Sequence, residues 1–378
     1  MYVTRKLDVS SVLRQKSCFL FGPRQCGKTS LVRETLPHAH VFDLLSGDTF
    51  ARLARNPNYI DETCGDGRPV VIDEIQKMPS LLDEVHRLIE EKGIRFLLTG
   101  SSARKLRKGG VNLLGGRARV RNLHPFSAAE LGASFNLDRA LGNGLVPGIW
   151  DSDEPDEDLA SYVSLYLEQE ILQEGATRNL PAFSRFLEVA ALSNGEQINY
   201  QSIASDAQIA RSTVQEYFKI LKDTLLAREV PVWRKGRSRK TVETAKFYLF
   251  DTGVTRRLQG RRELTPNTAE YGHAFEAWIL HELASYADTF RRDAEIAYWR
   301  TRTNLEVDFV VDGEVAIETK TTRNATKGDL RGLRAIGEEG AFRHRILVSC
   351  EPRPREVEGI AILPWREFIA RLWGGDLF

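Results

Sequence analysis

Cysteine is scarce in this sequence, and the few copies show neither the spacing of metal ligands nor that of a disulfide framework. They are Cys18, Cys26, Cys64 and Cys350. No apolar run approaches the roughly 18 residues of a membrane-spanning helix, and the N-terminal residues lack the apolar segment of a signal peptide. We therefore expect reduced thiols, a soluble cytoplasmic protein and no membrane partner.

An excess of charge of either sign is also absent. The sequence has 53 Lys and Arg residues against 52 Asp and Glu residues, which leaves a formal net charge of +1. A polyanionic partner would therefore be bound by local basic patches rather than by the field of the whole molecule. The 378 residues exceed the length of one ordinary domain, about 100–200 residues, so we expect two or three domains.

A strand-loop-helix pattern near the N terminus is typical of a phosphate-binding loop. A short apolar run at 16–21 precedes the loop GPRQCGKT, and the next residues, SLVRETL, are helical in pattern. Backbone N–H groups of such a loop face phosphate, while Lys28 would reach the β and γ oxygens and Thr29 would ligate Mg²⁺. The predicted nucleotide contacts are Gly22, Pro23, Arg24, Gln25, Cys26, Gly27, Lys28, Thr29 and Ser30. The alternative is a chance glycine turn before a helix.

Two further strand ends complete the predicted ATP site. The apolar run PVVI ends in Asp73, which would hold Mg²⁺, and Glu74, which would orient or deprotonate the attacking water. A second strand ends in TGSS, where a hydroxyl, chosen as Ser101, would sense the γ-phosphate unless the segment is simply a polar turn. Strands alternating with helices predict a parallel sheet that binds its ligand at the carboxyl edge.

Phosphoryl transfer usually also needs an arginine that stabilises charge on the γ-phosphate. The candidates are Arg104, Arg117 and Arg119, and Arg117 is counted here among the nucleotide contacts. The alternative is that these arginines are merely solvated.

The middle of the chain predicts a winged helix behind an acidic linker at 151–158. Two helical segments separated by a turn are followed by a strand, and the second helix, 211–223, has an apolar stripe and an N-cap at Ser212. The stripe is Val214, Tyr217, Phe218 and Leu221. The residues left for a DNA groove are Arg211, Thr213, Gln215 and Lys219.

A basic segment follows where the wing would lie. It contains Arg234, Lys235, Arg237, Arg239 and Lys240. Such a cluster would pair with DNA phosphates and give salt-dependent binding. The alternatives are a packing module and a lid of the ATPase with a solvated basic hairpin.

Two alternating segments near the C terminus, LEVDFVV and VAIETK, predict a hairpin with an acidic pair. A three-residue loop at 312–314 segregates polar from apolar side chains and places Asp308 opposite Glu318 and Glu306 opposite Lys320, whereas a two-residue loop mixes them. Facing carboxylates need a cation, and Mg²⁺ would supply it, with Lys320 orienting a water. The alternative is an ordinary Glu306–Lys320 ion pair beside solvated acids.

The chain as a whole resembles the prokaryotic AAA-type ATPases that carry a C-terminal domain of unknown function. The resemblance rests on GPRQCGKTSL, VVIDEIQ, FLLTGSSA, LLGGRA, LHPFSAAEL, KFYLFDTGV, GHAFEAWI and LEVDFVV…AIETK. It implies an α/β architecture with an additional-strand P-loop ATPase domain at 1–150, a winged-helix domain at 151–258, and a domain similar to PD-(D/E)XK nucleases at 259–378.

In that nuclease pattern, Asp308, Glu318 and Lys320 match the catalytic D…ExK residues, and Glu276 matches the acid of the preceding helix. The resemblance thus implies ATP and Mg²⁺ at the P-loop and a second Mg²⁺ or Mn²⁺ held by Glu276, Asp308 and Glu318. Two hypotheses follow. The first is an ATP-driven DNA-processing protein that cuts phosphodiester bonds, and the second is a nucleotide-gated DNA-binding switch with an inactive nuclease-like domain. The sequence is compatible with a homo-oligomer but does not fix the oligomeric state.

Overall fold

The computed structural model describes residues 2–104, 106, 114–167, 179–234, 244–291 and 293–378. The chain divides into two units, one made of residues 1–126 with 223–225 and the other of residues 127–222 with 226–378. The three-domain division expected from the sequence stays a prediction.

A five-stranded sheet is the centre of the N-terminal unit. Its strands are β1 (Ser17–Phe21), β2 (His40–Asp43), β3 (Val70–Asp73), β4 (Phe96–Gly100) and β5 (Ala118–Asn122). All neighbouring strands are parallel, and their order is β2-β3-β4-β1-β5. The continuous apolar runs of β1, β3 and β4 are typical of parallel strands that are buried on both faces. The insertion of β4 between β1 and β3 confirms the additional-strand core expected from the sequence.

Helices cover both faces of this sheet. They are α1 (Val9–Gln15), α2 (Lys28–Thr35), α3 (Gly47–Arg55), α4 (Tyr59–Thr63) and α5 (Leu81–Lys92), with 3₁₀ turns at Ile75–Lys77 and Leu114–Gly116. Successive strand residues enter different apolar clusters: Phe19 and Leu98 lie in one, Leu20 and Leu97 in the other. This alternation follows from the two-residue period of a strand.

The second unit begins with short helices and a helical bundle. They are α6 (Ala128–Leu131), α7 (Leu137–Asn143), α8 (Pro147–Trp150), α9 (Pro155–Ser161), a π-helical turn (Tyr162–Leu167), α10 (Leu180–Leu192), α11 (Tyr200–Asp206) and α12 (Arg211–Asp223). An antiparallel pair, β6 (Ala227–Val230) and β7 (Lys246–Leu249), and helix α13 (Thr252–Leu258) follow.

The structure of this region confirms one sequence-based prediction and corrects two. The apolar stripe of α12 is buried as predicted. The helix begins at Arg211, so Ser212 lies inside the first turn and is not the N-cap. The acidic segment at 151–158 is only partly a linker, because Pro155 starts α9 and the apolar Leu159 of that helix is buried. The winged-helix assignment itself stays a prediction.

A mixed six-stranded sheet forms the rest of the second unit. Its elements are α14 (Ala269–Phe290), β8 (Ile296–Arg300), β9 (Glu306–Val311), β10 (Val315–Thr319), α15 (Arg331–Gly337), β11 (His344–Ser349), β12 (Arg355–Val357), β13 (Ile360–Pro364) and α16 (Trp365–Gly374). The strand order is β12-β13-β11-β10-β9-β8, with parallel pairing between β10 and β11 and between β11 and β13. Within the described ranges, no helix combines the length and apolar character needed to cross a bilayer.

A buried acid on α14 makes the stability of this unit depend on pH. Glu282 is fully buried and accepts hydrogen bonds from Ala128 N at 2.7 Å, Trp278 Nε1 at 3.1 Å and Trp373 Nε1 at 2.8 Å. Burial raises the pKa of Glu282 to about 7. Between its ordinary pKa and this value, the native state holds a proton that the unfolded chain has released, so stability falls as pH rises through this window.

Between pH 5 and pH 8, we therefore expect the unfolding free energy of the wild type to fall by about 3 kcal/mol more than that of Glu282→Gln. The measurement is urea unfolding of both proteins at the two pH values, followed by tryptophan fluorescence. Glu270→Gln, a change at a half-buried acid in the first turn of the same helix, is the control and should leave the pH dependence unchanged in this window, because hydrogen bonds lower the pKa of Glu270. An equal pH dependence in wild type and Glu282→Gln would contradict the assignment.

Candidate functional site

The phosphate-binding loop joins the end of β1 to the start of α2, and its path depends on two glycines. A Cβ at Gly22 would lie 2.3 Å from the Leu123 carbonyl oxygen, which leaves no room for a side chain. Gly27 has φ +93°, in the left-handed region that favours glycine. The loop therefore turns tightly against the core and delivers Lys28 to the first position of α2.

Lys28 is buried, and carbonyl groups of its own loop bind its ammonium. Its Nζ donates to Gly22 O at 2.7 Å and to Pro23 O at 3.1 Å. A buried ammonium needs acceptors, and phosphate oxygens are stronger acceptors than carbonyls because they carry charge. The Lys28 ammonium is therefore placed so that it can exchange its two carbonyl acceptors for phosphate oxygens. Gln25, Thr29 and Ser30 of the same segment are exposed and accessible to a ligand.

The side chains of Thr29, in α2, and Thr99, in β4, both contact Asp73 at the end of β3. Thr29 Oγ1 donates to Asp73 Oδ2 at 3.2 Å, and Thr99 Oγ1 donates to Asp73 Oδ1. The two residues predicted to hold Mg²⁺, Thr29 and Asp73, are therefore in direct contact. Carboxylate and hydroxyl oxygens are hard ligands that suit this ion.

Glu74 follows in an unusual backbone conformation. Its φ of +61° is left-handed, its N–H donates to Thr99 Oγ1 at 3.3 Å, and its carboxylate accepts a hydrogen bond from Gln76 Nε2. Thr99 therefore touches both acids, because β4 lies beside β3. The sequence placed a hydroxyl sensor in this segment, but the residue chosen was Ser101; Ser101 is buried just beyond the strand, and its role stays a prediction.

Arg5 is a part of this site that the sequence did not indicate. Its guanidinium donates to Cys26 O at 2.7 Å, to His124 O at 2.6 Å and to Pro125 O at 3.3 Å, and it lies 5.2 Å from the centre of the Phe126 ring. It therefore ties the phosphate-binding loop to the segment after β5. A lone arginine near the N terminus has no motif that would have revealed this role.

The proposed arginine finger requires a correction. Arg117 immediately precedes β5, whose first residue, Ala118, pairs with Ser17 at the start of β1, so it lies at the amino edge of the sheet. The phosphate-binding loop lies at the carboxyl edge, about 16 Å away along a five-residue strand. Arg117 instead pairs with Glu90, so it does not contact the nucleotide site of its own chain.

The other two arginines also have partners within the N-terminal unit. Arg119 lies near the same amino edge and donates to Gln15 Oε1 at 2.7 Å. Arg104 follows the carboxyl end of β4 and is buried, with its Nε 3.8 Å from Asp223 Oδ2.

The hairpin β9–β10 carries the second acidic site, and its register is the predicted one. Val315 pairs with Val311 and Ile317 with Phe309, which leaves the three-residue loop 312–314 and sets Glu318 opposite Asp308. Gly313 and Asp312 both have positive φ, as a tight turn requires. The alternative of solvated acids is wrong, since Asp308 is only 6% exposed and Glu318 only 7%.

Asp308 and Glu318 each have a partner within the chain. Asp308 Oδ2 accepts hydrogen bonds from Thr319 N at 2.8 Å and Thr319 Oγ1 at 2.7 Å. Lys320 Nζ donates to Glu318 Oε1 at 2.7 Å, so the alternative Glu306–Lys320 ion pair is not formed. Burial and the nearby Asp308 raise the pKa of Glu318 well above its usual value.

A lysine that the sequence did not single out enters this acidic cleft. Lys246, the first residue of β7, lies 3.0 Å from Glu276 Oε1 and 2.6 Å from Glu306 Oε1, and it is buried. Tyr248 of the same strand donates to Glu276 Oε1 at 2.5 Å. Burial would lower the pKa of Lys246, but Glu276 and its neighbours raise it well above its ordinary value, so the ammonium stays charged.

The cleft around these residues has a volume of about 460 Å³ and is also lined by Arg300 and His273. Its fit to a metal is incomplete. Glu318 Oε2 is buried and has no hydrogen-bond partner among the described residues, as expected of a ligand oxygen. However, no three His, Cys, Asp or Glu side chains in the described part of the chain are grouped so that they could hold a metal ion. Glu276, the predicted third ligand, is bound to Lys246 and Tyr248.

The predicted DNA-binding residues are only partly described. On α12, Arg211, Gln215 and Lys219 are exposed and Thr213 is half-buried. Arg234 is exposed, whereas the other cations of the basic segment, at 235, 237, 239 and 240, lie outside the described residues.

Three successive parts of the chain match known protein families. Residues 14–132 match the family described as AAA domain. Residues 134–265 match a domain of unknown function (DUF8612), and residues 271–368 match another domain of unknown function (DUF4143). Together with the sheet order and the loop geometry, the first match shows that the N-terminal unit is an AAA-type P-loop domain, a class that indicates ATP binding and hydrolysis.

Similar proteins add little about function. The chain is 27% identical over 304 residues to an uncharacterized protein of Mycobacterium bovis and, with the same values, to one of Mycobacterium tuberculosis. Each alignment covers 78% of this chain and 67% of the relative.

Two solved structures show a weaker likeness. One is a signal transduction ATPase (STAND) protein with a tetratricopeptide repeat sensor from Pyrococcus horikoshii, with 16% identity and a TM-score of 0.25 over 77% of this chain and 48% of that protein, which is less than half of its length. The other is the DNA clamp loader delta protein of Bacillus subtilis, with 15% identity and a TM-score of 0.25 over 57% of this chain and 87% of that one. TM-scores this low support no inference about this chain.

Proposed function

We propose that this chain hydrolyses ATP on Mg²⁺ at its P-loop and couples hydrolysis to the binding or processing of DNA. The observation that supports the ATPase most strongly is the convergence of Lys28, Thr29, Asp73 and Glu74 at the carboxyl edge of one parallel sheet. These residues come from two separate parts of the sequence, and they meet because the parallel strands that precede them end at the same edge of the sheet.

Each residue has a separate task in the proposed reaction. Lys28 exchanges its loop carbonyls for oxygens of the β- and γ-phosphates, and Thr29 and Asp73 hold the metal ion, which supplies positive charge to the phosphates when bound. Glu74 accepts a proton from the attacking water. Its backbone is fixed by the bond from its N–H to Thr99, so its side chain starts from a defined position.

DNA binding is proposed for α12 and the basic segment at 234–240. The exposed polar face of α12 lies opposite a buried apolar stripe, so the helix can present side chains without losing its packing. Five cations within seven residues would pair with phosphates whatever the base sequence. A nucleotide-dependent change in DNA affinity would make the ATPase a motor or a switch.

Two candidate functions remain for the C-terminal cleft. Glu318 Oε2, which has no hydrogen-bond partner in the part of the chain that the structure describes, and the facing Asp308 favour a metal-dependent nuclease, in which Lys320 would orient a water against the phosphodiester bond. Lys246 favours the other candidate, a DNA-binding switch without cleavage, because its ammonium supplies positive charge to Glu276 and Glu306 without any metal.

An assembly of identical subunits is also proposed, on a more limited basis. Arg117 lies at the edge of the sheet away from its own phosphate-binding loop, so it could contribute to phosphoryl transfer only on another subunit.

For the ATPase, we expect Lys28→Ala to weaken ATP binding and to lower kcat/KM by at least about 100-fold, because the main cation at the phosphates is lost. Glu74→Gln should lower kcat by about 100- to 1000-fold while ATP stays bound. Steady-state phosphate release and equilibrium binding of a fluorescent ATP analogue measure the two effects. Lys77→Ala, a change at an exposed cation next to the site, is the control. Undiminished turnover in both active-site variants would refute the ATPase.

For DNA binding, we expect neutralisation of the five cations at 234–240 to flatten the dependence of log affinity on log salt. Each lost phosphate contact reduces the slope by about 0.9, so the loss of five contacts changes it by up to about 4.5. Fluorescence anisotropy with a labelled duplex at several salt concentrations measures it. Arg14→Gln with Lys16→Gln, which neutralises exposed cations of the other unit, should leave the slope unchanged. An unaltered slope in the five-fold variant would assign the segment to packing.

For the C-terminal cleft, we expect the wild-type protein to nick supercoiled plasmid in Mg²⁺ or Mn²⁺ and Glu318→Ala to abolish nicking, because the acid with the unpartnered oxygen is removed. Glu314→Ala, in the exposed turn of the same hairpin, should keep full activity. Equal nicking by wild type and Glu318→Ala would indicate a contaminant. No nicking by any of the three proteins would support the DNA-binding switch in which Lys246 replaces the metal.

A further inference from the structure

Gln76 has a side chain whose position the proposed reaction does not explain. It lies in the 3₁₀ turn that follows β3 and is 7% exposed. Its Nε2 donates a hydrogen bond to Glu74 Oε2. Its Oε1 is completely buried and accepts no hydrogen bond from the described residues.

The orientation of this amide shows which of its contacts dominates. Rotating the amide by half a turn would offer Nε2 to other acceptors, but it would bring Oε1 against the Glu74 carboxylate, and two oxygens repel. The observed orientation keeps the charge-assisted bond to Glu74 and leaves a carbonyl oxygen buried without a donor, which is unfavourable. The bond to Glu74 therefore determines how Gln76 is placed.

The other end of the amide rests against the strand that carries Thr99. A Cβ built on Gly100 would lie 2.3 Å from Gln76 Oε1, so the absence of a side chain at Gly100 makes room for the amide. Thr99, one residue earlier, contacts both Asp73 and the Glu74 N–H. Gln76 is thus confined between the Glu74 carboxylate and the end of β4.

We infer that Gln76 is a positioning residue for the general base Glu74. Its N–H group holds one carboxylate oxygen, which fixes the rotation of the carboxylate and leaves the other oxygen to accept the proton of the attacking water. This inference rests on the proposed ATP hydrolysis. It adds to the ATP site Gln76, which belongs neither to the phosphate-binding loop nor to the acidic pair at the end of β3.

A side chain that served only to fill space would not need the amide. Leucine is apolar, has a similar volume and would not leave a buried oxygen without a partner. Gln76→Leu therefore removes the hydrogen bond and keeps most of the packing. Glu would also keep the shape, but its carboxylate would repel Glu74.

The test is steady-state ATP hydrolysis by the full chain carrying Gln76→Leu or Gln76→Glu. We expect kcat to fall by about 10- to 100-fold in both variants, as for loss of a hydrogen bond to a charged group, while KM for ATP changes by less than about twofold. Gly100→Ala, which pushes a methyl group towards Gln76 Oε1, should lower kcat in the same way. Lys77→Ala, in the same turn, should keep the wild-type kcat.

A second measurement separates positioning from a general loss of structure. In a Glu74→Gln background there is no base left to position, so adding Gln76→Leu should lower kcat no further. A wild-type kcat in Gln76→Leu, a loss in kcat matched by a rise in KM, or an undiminished further loss in the Glu74→Gln background would each overturn the inference while leaving the ATPase intact. Absence of hydrolysis by the wild type would overturn the ATPase and this inference together.

Discussion

The contact of two hydroxyl groups with one carboxylate organises the N-terminal unit. Thr29 begins the helix after β1, Thr99 lies in β4, and both donate to Asp73 at the end of β3. Because β4 separates β1 from β3, the phosphate-binding loop and the acidic strand end are not on adjacent strands, and Asp73 must reach across the intervening strand. The threonine hydroxyls make this reach possible. The position of Glu74 and the role proposed for Gln76 are linked to this arrangement, because Thr99 also accepts the Glu74 N–H and Gln76 binds the Glu74 carboxylate.

The sequence could predict features that depend on a local pattern. The loop GPRQCGKT lies between a strand and a helix as expected, since the spacing of its glycines permits little else. The register of the β9–β10 hairpin was also predictable, because a slip of one residue would have exchanged the two faces of both strands. Arg117 shows the limit of such patterns: a basic loop before a strand looks suitable for a finger, but the direction of a parallel strand places its start at the edge of the sheet away from the ligand.

The contacts that could not be predicted join residues far apart in the sequence. Arg5 meets carbonyl groups about 120 positions away, and Lys246 reaches Glu276 and Glu306, which lie on a different helix and strand. Arg5 belongs to no motif. Lys246 is the first residue of KFYLFDTGV, but nothing in that motif indicates a contact with Glu276 or Glu306. Gln76 is a different case, because it is only two residues from Glu74; what the sequence does not show is the left-handed φ at Glu74, which turns the chain so that the two side chains meet.

The two acidic sites meet the same electrostatic problem with different partners. At Asp73 the partners are the hydroxyl groups of Thr29 and Thr99, which are neutral and bring no positive charge to the carboxylate. At the C-terminal cleft Lys246, Arg300 and Lys320 bring three positive charges to four acids, Glu276, Glu306, Asp308 and Glu318. These cations already neutralise part of the negative charge that would attract a metal there. This fits the absence of a grouped set of three metal-binding side chains among the described residues. Asp308 contacts the neutral Thr319, and Glu318 Oε2 has no hydrogen-bond partner within the described ranges. A divalent ion, as proposed for this cleft, would therefore bind at that pair unless Lys246 leaves Glu276.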